Sequence, residues 1–512
     1  MNTKLKKIIN KTRYIIEFIA TIIFVFFISK TFYTKRYFGY FHKLYLTGTI
    51  IWFAILLINI IYNFKKSDKK IEKIFLNVAI PIGILFMVFM IPGHVPDETT
   101  HFIKAYDVSM GHILTPIDEN GDSAITVPKG LAEYNHTNLR NYQDLVNFAK
   151  EKTDYNDTEK IVSTAQGNFF IMYIFSAIGF FIARILNIGI IYGILLGKMF
   201  NFIFFLIMGY LAIKKIPFGK IVFTAYTIMP MNLQQVTSIS ADAFINSILL
   251  YYVAYSIYMI FKKEKITKKE IAIYIVLTAI AGIVKMVYIL IAGVGFLIVK
   301  RKDMTNKNKI LTIVLTIVLG GIFTIGTLVF STRYTSTTDA TIKYQEEFNV
   351  DSGKQINEMI HNPKHAIKAF TNDWYDMGKH YIYMSIGSEL GWLEIKTSET
   401  VITLYLIVLI IAVLSEKNEN EFNWKNKIWL ALITAGVIIL VEIAMYTGFT
   451  PIGAEFIGGI QGRYYIPVYI LLLLCLAKKD NYIKINNIEN KIMILSGALN
   501  LCVISEIMQY FL

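Results

Sequence analysis

Side chains able to do acid–base and anion chemistry crowd one short run, PDETTHFIKAYDVSMG, at residues 96–111. Asp97, His101 and Lys104 follow a four-then-three spacing, so a helix opening at Pro96 sets all three on one face, with Glu98 beside them. A carboxylate there can act as a general base, an imidazole can hold or pass a proton, and an ammonium can hold an anion. The same residues have a plainer use, because Pro suits a first helical turn and Asp and Glu suit the positive end of a helix. Position lifts the stretch above a cap. It follows an apolar run that ends near Pro92 and precedes a large polar loop, and ionisable groups at the edge of a membrane are candidates for function.

Other candidates lie far along the chain. Asp242 closes the polar patch QQVTSISAD, and Lys285 stands alone in the apolar stretch GIVKMVYIL. An unpaired ammonium there is costly, so Lys285 either snorkels to the interface or holds a phosphate. In GAEFIGGIQGRYYIPV, Arg463 can grip a phosphate with two parallel donors, and the glycines let backbone approach a ligand closely. Gln461, Tyr464 and Tyr465 share that segment; an interfacial aromatic belt explains the tyrosines but not the arginine. In SELGWLE, Glu389, Trp392 and Glu394 could form a wall that stacks on and hydrogen-bonds a sugar.

No dedicated metal site is assigned. Glu98 and His101 have the Glu-x-x-His spacing of carboxylate-bridged metal centres, which leaves room for a divalent cation, but no second such pair occurs. Pro363 interrupts the helical spacing of His361 and His365. The two cysteines, Cys475 and Cys502, lie in apolar segments and offer neither thiolate-metal spacing nor a disulfide framework.

The elements that must position these residues are membrane helices. The chain has 512 residues, of which 55% are hydrophobic, and a mean hydropathy of +0.50. Segment after segment reaches the roughly 20 apolar residues that a bilayer core requires, with charge gathered between them. The formal net charge of +14 sits in short loops rather than in an aromatic-studded stripe, which reads as topology signal and lipid contact and not as nucleic-acid binding.

The expected architecture is an all-α polytopic membrane protein with about thirteen transmembrane helices, a juxtamembrane helix and two large outer loops. N-terminal helices fill residues 1–92, with spans at 14–29, 44–62 and 74–92 and the N-terminus in the cytoplasm. The first outer loop and the juxtamembrane helix fill 93–189. Central spans fill 190–330, the second outer loop 331–400, and C-terminal spans 401–512. Counting residues 168–186 as a span would carry Lys214, Lys215 and Lys220 outside, so that segment is expected to lie along the interface. The chain is then expected to climb as one span from Phe218 to about Gln234, and to cross twice between Ile271 and Val299 with Lys285 near the turn. This topology puts Asp97, Asp242, Lys285 and Arg463 on one side.

PDETTHFIKAY, SADAFINS, the Lys-x-x-Tyr of Lys285 to Tyr288, GWLE and QGRYYIP together resemble the bacterial membrane family called domain of unknown function 2142. That family is similar to the glycosyltransferase C superfamily, and the resemblance implies a multi-spanning enzyme of the bacterial plasma membrane. Such an enzyme takes a hexosyl or pentosyl group from a polyprenyl-phosphate carrier on the outer face and passes it, with inversion, to a cell-surface glycan. The superfamily's catalytic base maps onto Asp97, and Glu98 completes the acidic pair. Where the superfamily carries Pro-Pro before its juxtamembrane helix, this chain has Gln166, Gly167 and Asn168. The chemistry asks for Glu98 and His101 to orient the base or acceptor, Lys285 and Arg463 to hold the phosphate, and Asp242 to line the pocket. Lys104, Tyr288, Glu389, Trp392, Gln461 and Tyr464 complete the expected substrate-binding set. The rival function is a transporter of lipid-linked sugar, which needs ionisable groups deeper in the bilayer.

Overall fold

Apolar runs with no water to bond their backbone must close their hydrogen bonds within the segment, and the chain does so as helix. The computed structural model describes residues 70–115, 123–134, 139–334 and 339–511, with side chains excepted at 332–334 and 339–341. The spans expected at 14–29 and 44–62 lie outside the described residues. Six described helices are long and apolar enough to cross a membrane: Ile71–Phe89, Ile190–Lys215, Ala241–Phe261, Asn306–Ser331, Trp424–Phe449 and Ile488–Phe511. Four shorter apolar helices join them, at Phe170–Ile185, Met286–Ile298, Glu399–Ser415 and Gly462–Leu476. The only strands among the described residues form two small antiparallel pairs, Ala124–Pro128 with Thr158–Val162 and Glu389–Leu390 with Ile395–Lys396.

The chain does not climb through residues 218–234 as one span. It forms two short helices, Lys220–Thr227 and Pro230–Val236. Pro230 has no N–H to continue the first helix and holds Met229 in extended backbone (φ −58°, ψ 146°). The carbonyls that the break frees find side chains: Thr227 O accepts from Asn232 at 2.7 Å, Ile228 O from Asn500 at 2.9 Å, and Ala225 O from the Tyr405 hydroxyl at 2.9 Å. Every residue from 221 to 250 is buried, so this broken element is core, wrapped by other helices.

A second break falls at Lys285, whose backbone is extended (φ −167°, ψ 121°) between the helix Lys268–Val284 and a 3₁₀ helix Met286–Val294. The Tyr274 hydroxyl reaches the Ala292 carbonyl at 3.0 Å, which requires the chain to reverse between them. Lys285 therefore stands at the reversal.

The segment expected to lie along the interface is a 3₁₀ turn, Phe170–Tyr173, followed by a 12-residue helix, Ile174–Ile185. At about 1.5 Å per residue that helix is shorter than the roughly 30 Å hydrocarbon core. It packs backbone to backbone on the next long helix: a Cβ on Gly179 would come within 2.1 Å of Gly197 N and 2.6 Å of Gly193 O. Small residues allow this approach where lipid provides no hydrophobic drive between helices.

Candidate functional site

Arg463 organises the site. It belongs to a single 3₁₀ turn, Gly462–Tyr465, that opens the helix Ile466–Leu476, and only 6% of it is exposed. Its Nη2 lies 3.3 Å from Asp97 Oδ2 and its Nε 3.4 Å from Asp242 Oδ2. Its Nη1 points at the Pro96 carbonyl at 3.5 Å. The Nε–H is not aligned on the Asp242 oxygen, so that contact is an ion pair and not a hydrogen bond. One guanidinium near the C-terminal end of the chain thus faces two carboxylates from its first half.

Each acid is placed by the start of a helix. Asp97 caps the helix Glu98–Ser109 and adopts the left-handed region, φ 63°. Its carbonyl accepts the His101 N–H at 3.1 Å and the Thr100 hydroxyl at 2.8 Å. An L residue with a side chain pays for that conformation in strain of order 1 kcal/mol. The helix therefore starts one residue after Asp97, where the sequence had suggested Pro96. Asp242 sits in the first turn of Ala241–Phe261, where the Ser240 hydroxyl accepts its N–H at 3.1 Å. The Asp97 side chain is 53% exposed and that of Asp242 13%.

Two cations and an aromatic ring complete the face. Lys285 Nζ lies 4.3 Å from the centre of the Tyr464 ring, and Arg463 Cζ lies 5.3 Å from the same ring. The Tyr288 hydroxyl donates to the Tyr464 carbonyl at 2.9 Å, fixing that ring from behind. The His101 Nδ1 meets the Tyr173 hydroxyl at 2.6 Å, and Asn168 Nδ2 donates to the same hydroxyl at 2.9 Å. With Asn168 donating, the Tyr173 proton is free to go to Nδ1, so His101 is assigned as neutral with its proton on Nε2. Burial pushes His101 down to about 4. Asp97 and Asp242 oppose that shift, and Arg463 and Lys285 reinforce it, which places all four charges around this imidazole.

Several expected residues stand elsewhere. Glu98 does not line this face. It is fully buried, and its two oxygens accept the Gly93 N–H at 2.6 Å and the Ile239 N–H at 2.9 Å. Burial raises its pKa, against the pull of the nearby Lys198 ammonium and of its backbone donors. Glu98 is thus a brace between the loop that carries Asp97 and the loop that carries Asp242. The Glu98–His101 spacing consequently does not converge on a shared ion, and no group of three or more His, Cys, Asp or Glu among the described residues is arranged to hold a metal.

Lys104 is buried away from these acids, 3.3 Å from Asp107 Oδ2 and 2.7 Å from the Thr115 hydroxyl. Burial lowers its pKa, and Asp107 opposes that. Glu389 pairs with Lys396 and lies 3.7 Å from His380. Trp392 donates its Nε1–H to the Gly93 carbonyl at 3.0 Å, and Gly391 N donates to Gln234 Oε1 at 2.8 Å. Glu394 bonds the Tyr510 hydroxyl. The SELGWLE hairpin is therefore a clasp on the Gly93 loop. Gln461 caps the Arg463 turn, and its side-chain oxygen is buried without a partner.

The structure brings together Asp97, His101, Asp242, Lys285, Arg463 and Tyr464, with Tyr288 behind them. It adds Tyr173, Asn168 and Lys198, which sequence reasoning passed over. Lys198 donates to the Met87 and Met90 carbonyls at 3.3 and 2.9 Å, at the C-terminal end of Ile71–Phe89. A lone lysine in an apolar run was the signal that flagged Lys285, and the same signal was present at Lys198.

No curated protein and no solved structure matches the chain. The family described as a predicted membrane protein, DUF2142, matches residues 80–472, a range that contains every residue of the constellation from Asp97 to Tyr464. The chain belongs to the DUF2142 family of predicted membrane proteins.

Proposed function

We propose that this protein is a glycosyltransferase of the bacterial plasma membrane, moving a sugar from a polyprenyl-phosphate donor to a cell-surface glycan on the extracytoplasmic face. The observation that carries the reading is the pairing of a part-exposed carboxylate with two convergent cations: Asp97 stands 3.3 Å from Arg463, and Arg463 shares the Tyr464 ring with Lys285. Asp97 takes the proton of an acceptor hydroxyl, whose oxygen then attacks the anomeric carbon of the donor. The bond from that carbon to the phosphate oxygen breaks, and the electron pair leaves with the phosphate toward Arg463 and Lys285. Attack opposite the leaving group inverts the anomeric centre. Neutral His101 orients the acceptor, and Asp242 holds Arg463 in place until phosphate arrives. The lysines at 214, 215, 220, 262 and 263 support a topology in which this face is turned outward.

The test compares the surface polysaccharide of a deletion strain with that of a strain carrying Asp97→Asn at equal membrane abundance, reading sugar composition and linkage by mass spectrometry. Loss of the same sugar from both strains is the expected result. Full repair of the deletion by Asp97→Asn overturns the mechanism. Lipid-linked sugar that crosses vesicles without forming a glycosidic bond makes the protein a transporter.

A further inference from the structure

A second polar cluster shares the Arg463 turn through Tyr465. Trp374, Tyr381 and Tyr465 form a ring triad with centroids 6.0 Å apart for Trp374–Tyr381, 6.3 Å for Trp374–Tyr465 and 6.2 Å for Tyr381–Tyr465. Tyr469 stacks on Tyr465 at 5.2 Å. Two carboxylates close the group. Glu442 accepts the Trp374 Nε1–H, and Asp373 accepts the Tyr381 hydroxyl at 2.8 Å and the Ile457 N–H at 3.2 Å. Glu442 is 2% exposed and Asp373 4%.

Two features set the cluster apart from ordinary packing. Glu442 lies inside the apolar helix Trp424–Phe449, where a carboxylate is costly to keep and marks a candidate site. The Tyr465 hydroxyl is fully buried and makes no hydrogen bond, and the neighbouring Tyr469 hydroxyl is likewise without a partner. The Tyr465 ring stacks on Tyr469 and packs against Trp374 and Tyr381, the two side chains that donate to Glu442 and Asp373, so its hydroxyl belongs to this cluster. Buried hydroxyls ordinarily find partners, and an orphan pair between acids asks for a ligand that supplies them.

The chemistry selects the ligand class. Two carboxylates repel an anion, and both already accept a donor, which ill suits a bare cation. A neutral ring bearing several hydroxyls matches this set of donors and acceptors: its hydroxyls would donate to the free lone pairs of Asp373 and Glu442 and accept from Tyr465 and Tyr469, and its apolar face would lie on an aromatic ring. We infer that Trp374, Tyr465, Tyr469, Asp373 and Glu442 form a binding subsite for a neutral sugar ring, one peptide step from Tyr464 and the phosphate-holding face. Its use during transfer rests on the function proposed above, whereas the binding itself does not.

The full chain in lipid nanodiscs is titrated with methyl glucoside, methyl galactoside and methyl N-acetylglucosaminide, with inorganic phosphate as the anion control, and read by saturation-transfer NMR. At least one glycoside gives a saturable signal, and Tyr465→Phe and Glu442→Gln each weaken it tenfold or more while phosphate binding is unchanged. Tyr465→Phe removes one oxygen from a buried ring that bonds to nothing, so its unfolding temperature stays level or rises. A purely structural cluster predicts that same temperature with glycoside binding unaltered, and that result overturns the inference. So does the failure of all three glycosides to saturate. Asp97→Asn, assayed in parallel, keeps glycoside binding. Transfer that survives in Asp97→Asn removes the transferase mechanism and leaves the subsite standing.

Discussion

Arg463 Nη2 lies 3.3 Å from Asp97 Oδ2, a contact that joins residues 366 positions apart in the chain. The same guanidinium reaches Asp242 through a different nitrogen. A lysine has one charged nitrogen and cannot span both acids. Arg463→Lys therefore releases one carboxylate and lowers transfer in a membrane assay tenfold or more. The protein remains folded and at normal membrane abundance, because one ion pair persists. Activity within twofold of the wild type would mean that the two-armed geometry is unimportant.

His101 makes a pH prediction with a definite sign. Its folded-state pKa is pushed down to about 4 from an ordinary 6.5, chiefly by burial. The unfolded chain therefore binds the proton first as pH falls. Stability is full above about 6.5 and is lost progressively between 6.5 and 4, by about 3 kcal/mol in all. The unfolding midpoint in detergent should fall across that window in the wild type and fall less in His101→Gln, which cannot take up the proton. Parallel pH profiles for the two proteins would remove His101 as the source.

Glu98 is predicted to matter for folding more than for chemistry. Glu98→Ala strands the Gly93 and Ile239 N–H groups and removes the carboxylate whose charge acts on the buried Lys198 ammonium. Removing one side of such a buried arrangement costs about 3–5 kcal/mol. Chemical denaturation should show that loss, and amide exchange at residues 93–97 and 239–242 should accelerate together because one side chain ties both loops. Faster exchange in only one loop would contradict the brace.

The membrane-helix class was legible from run length and from where lysines gather, because both follow directly from the cost of polar groups in lipid. The acids and cations of the site were legible for the same reason: Lys285 and Arg463 are conspicuous in apolar surroundings. Direction was not. Helical spacing put Lys104 on the face of Asp97, but the left-handed backbone at Asp97 lies outside the helix, and Thr115 and Asp107 capture the ammonium. Adjacency suggested that Glu98 works beside Asp97, yet the chain turns through the left-handed region at Asp97, and the Glu98 side chain goes into the protein, onto the Gly93 and Ile239 N–H groups. The broken element at residues 220–236 read as one span because composition records apolarity and not the partners, Asn500 and Tyr405, that make a break at Pro230 tolerable.

Tyr288 separates positioning from direct contact. Its hydroxyl donates to the Tyr464 carbonyl at 2.9 Å, and the Tyr464 ring is the surface that Lys285 and Arg463 share. Tyr288→Phe keeps the buried ring but leaves that carbonyl without this donor, at a cost of about 1 kcal/mol in stability. The two cations are then held less firmly in register, so the apparent KM for the polyprenyl-phosphate donor should rise several-fold while kcat changes less than twofold. Lys285→Ala, which removes a cation proposed above to hold the phosphate, should lower both kcat and kcat/KM, because charge on the departing phosphate would grow in the transition state. If the two variants give the same kinetic pattern, Tyr288 acts on the ligand itself and not through Tyr464.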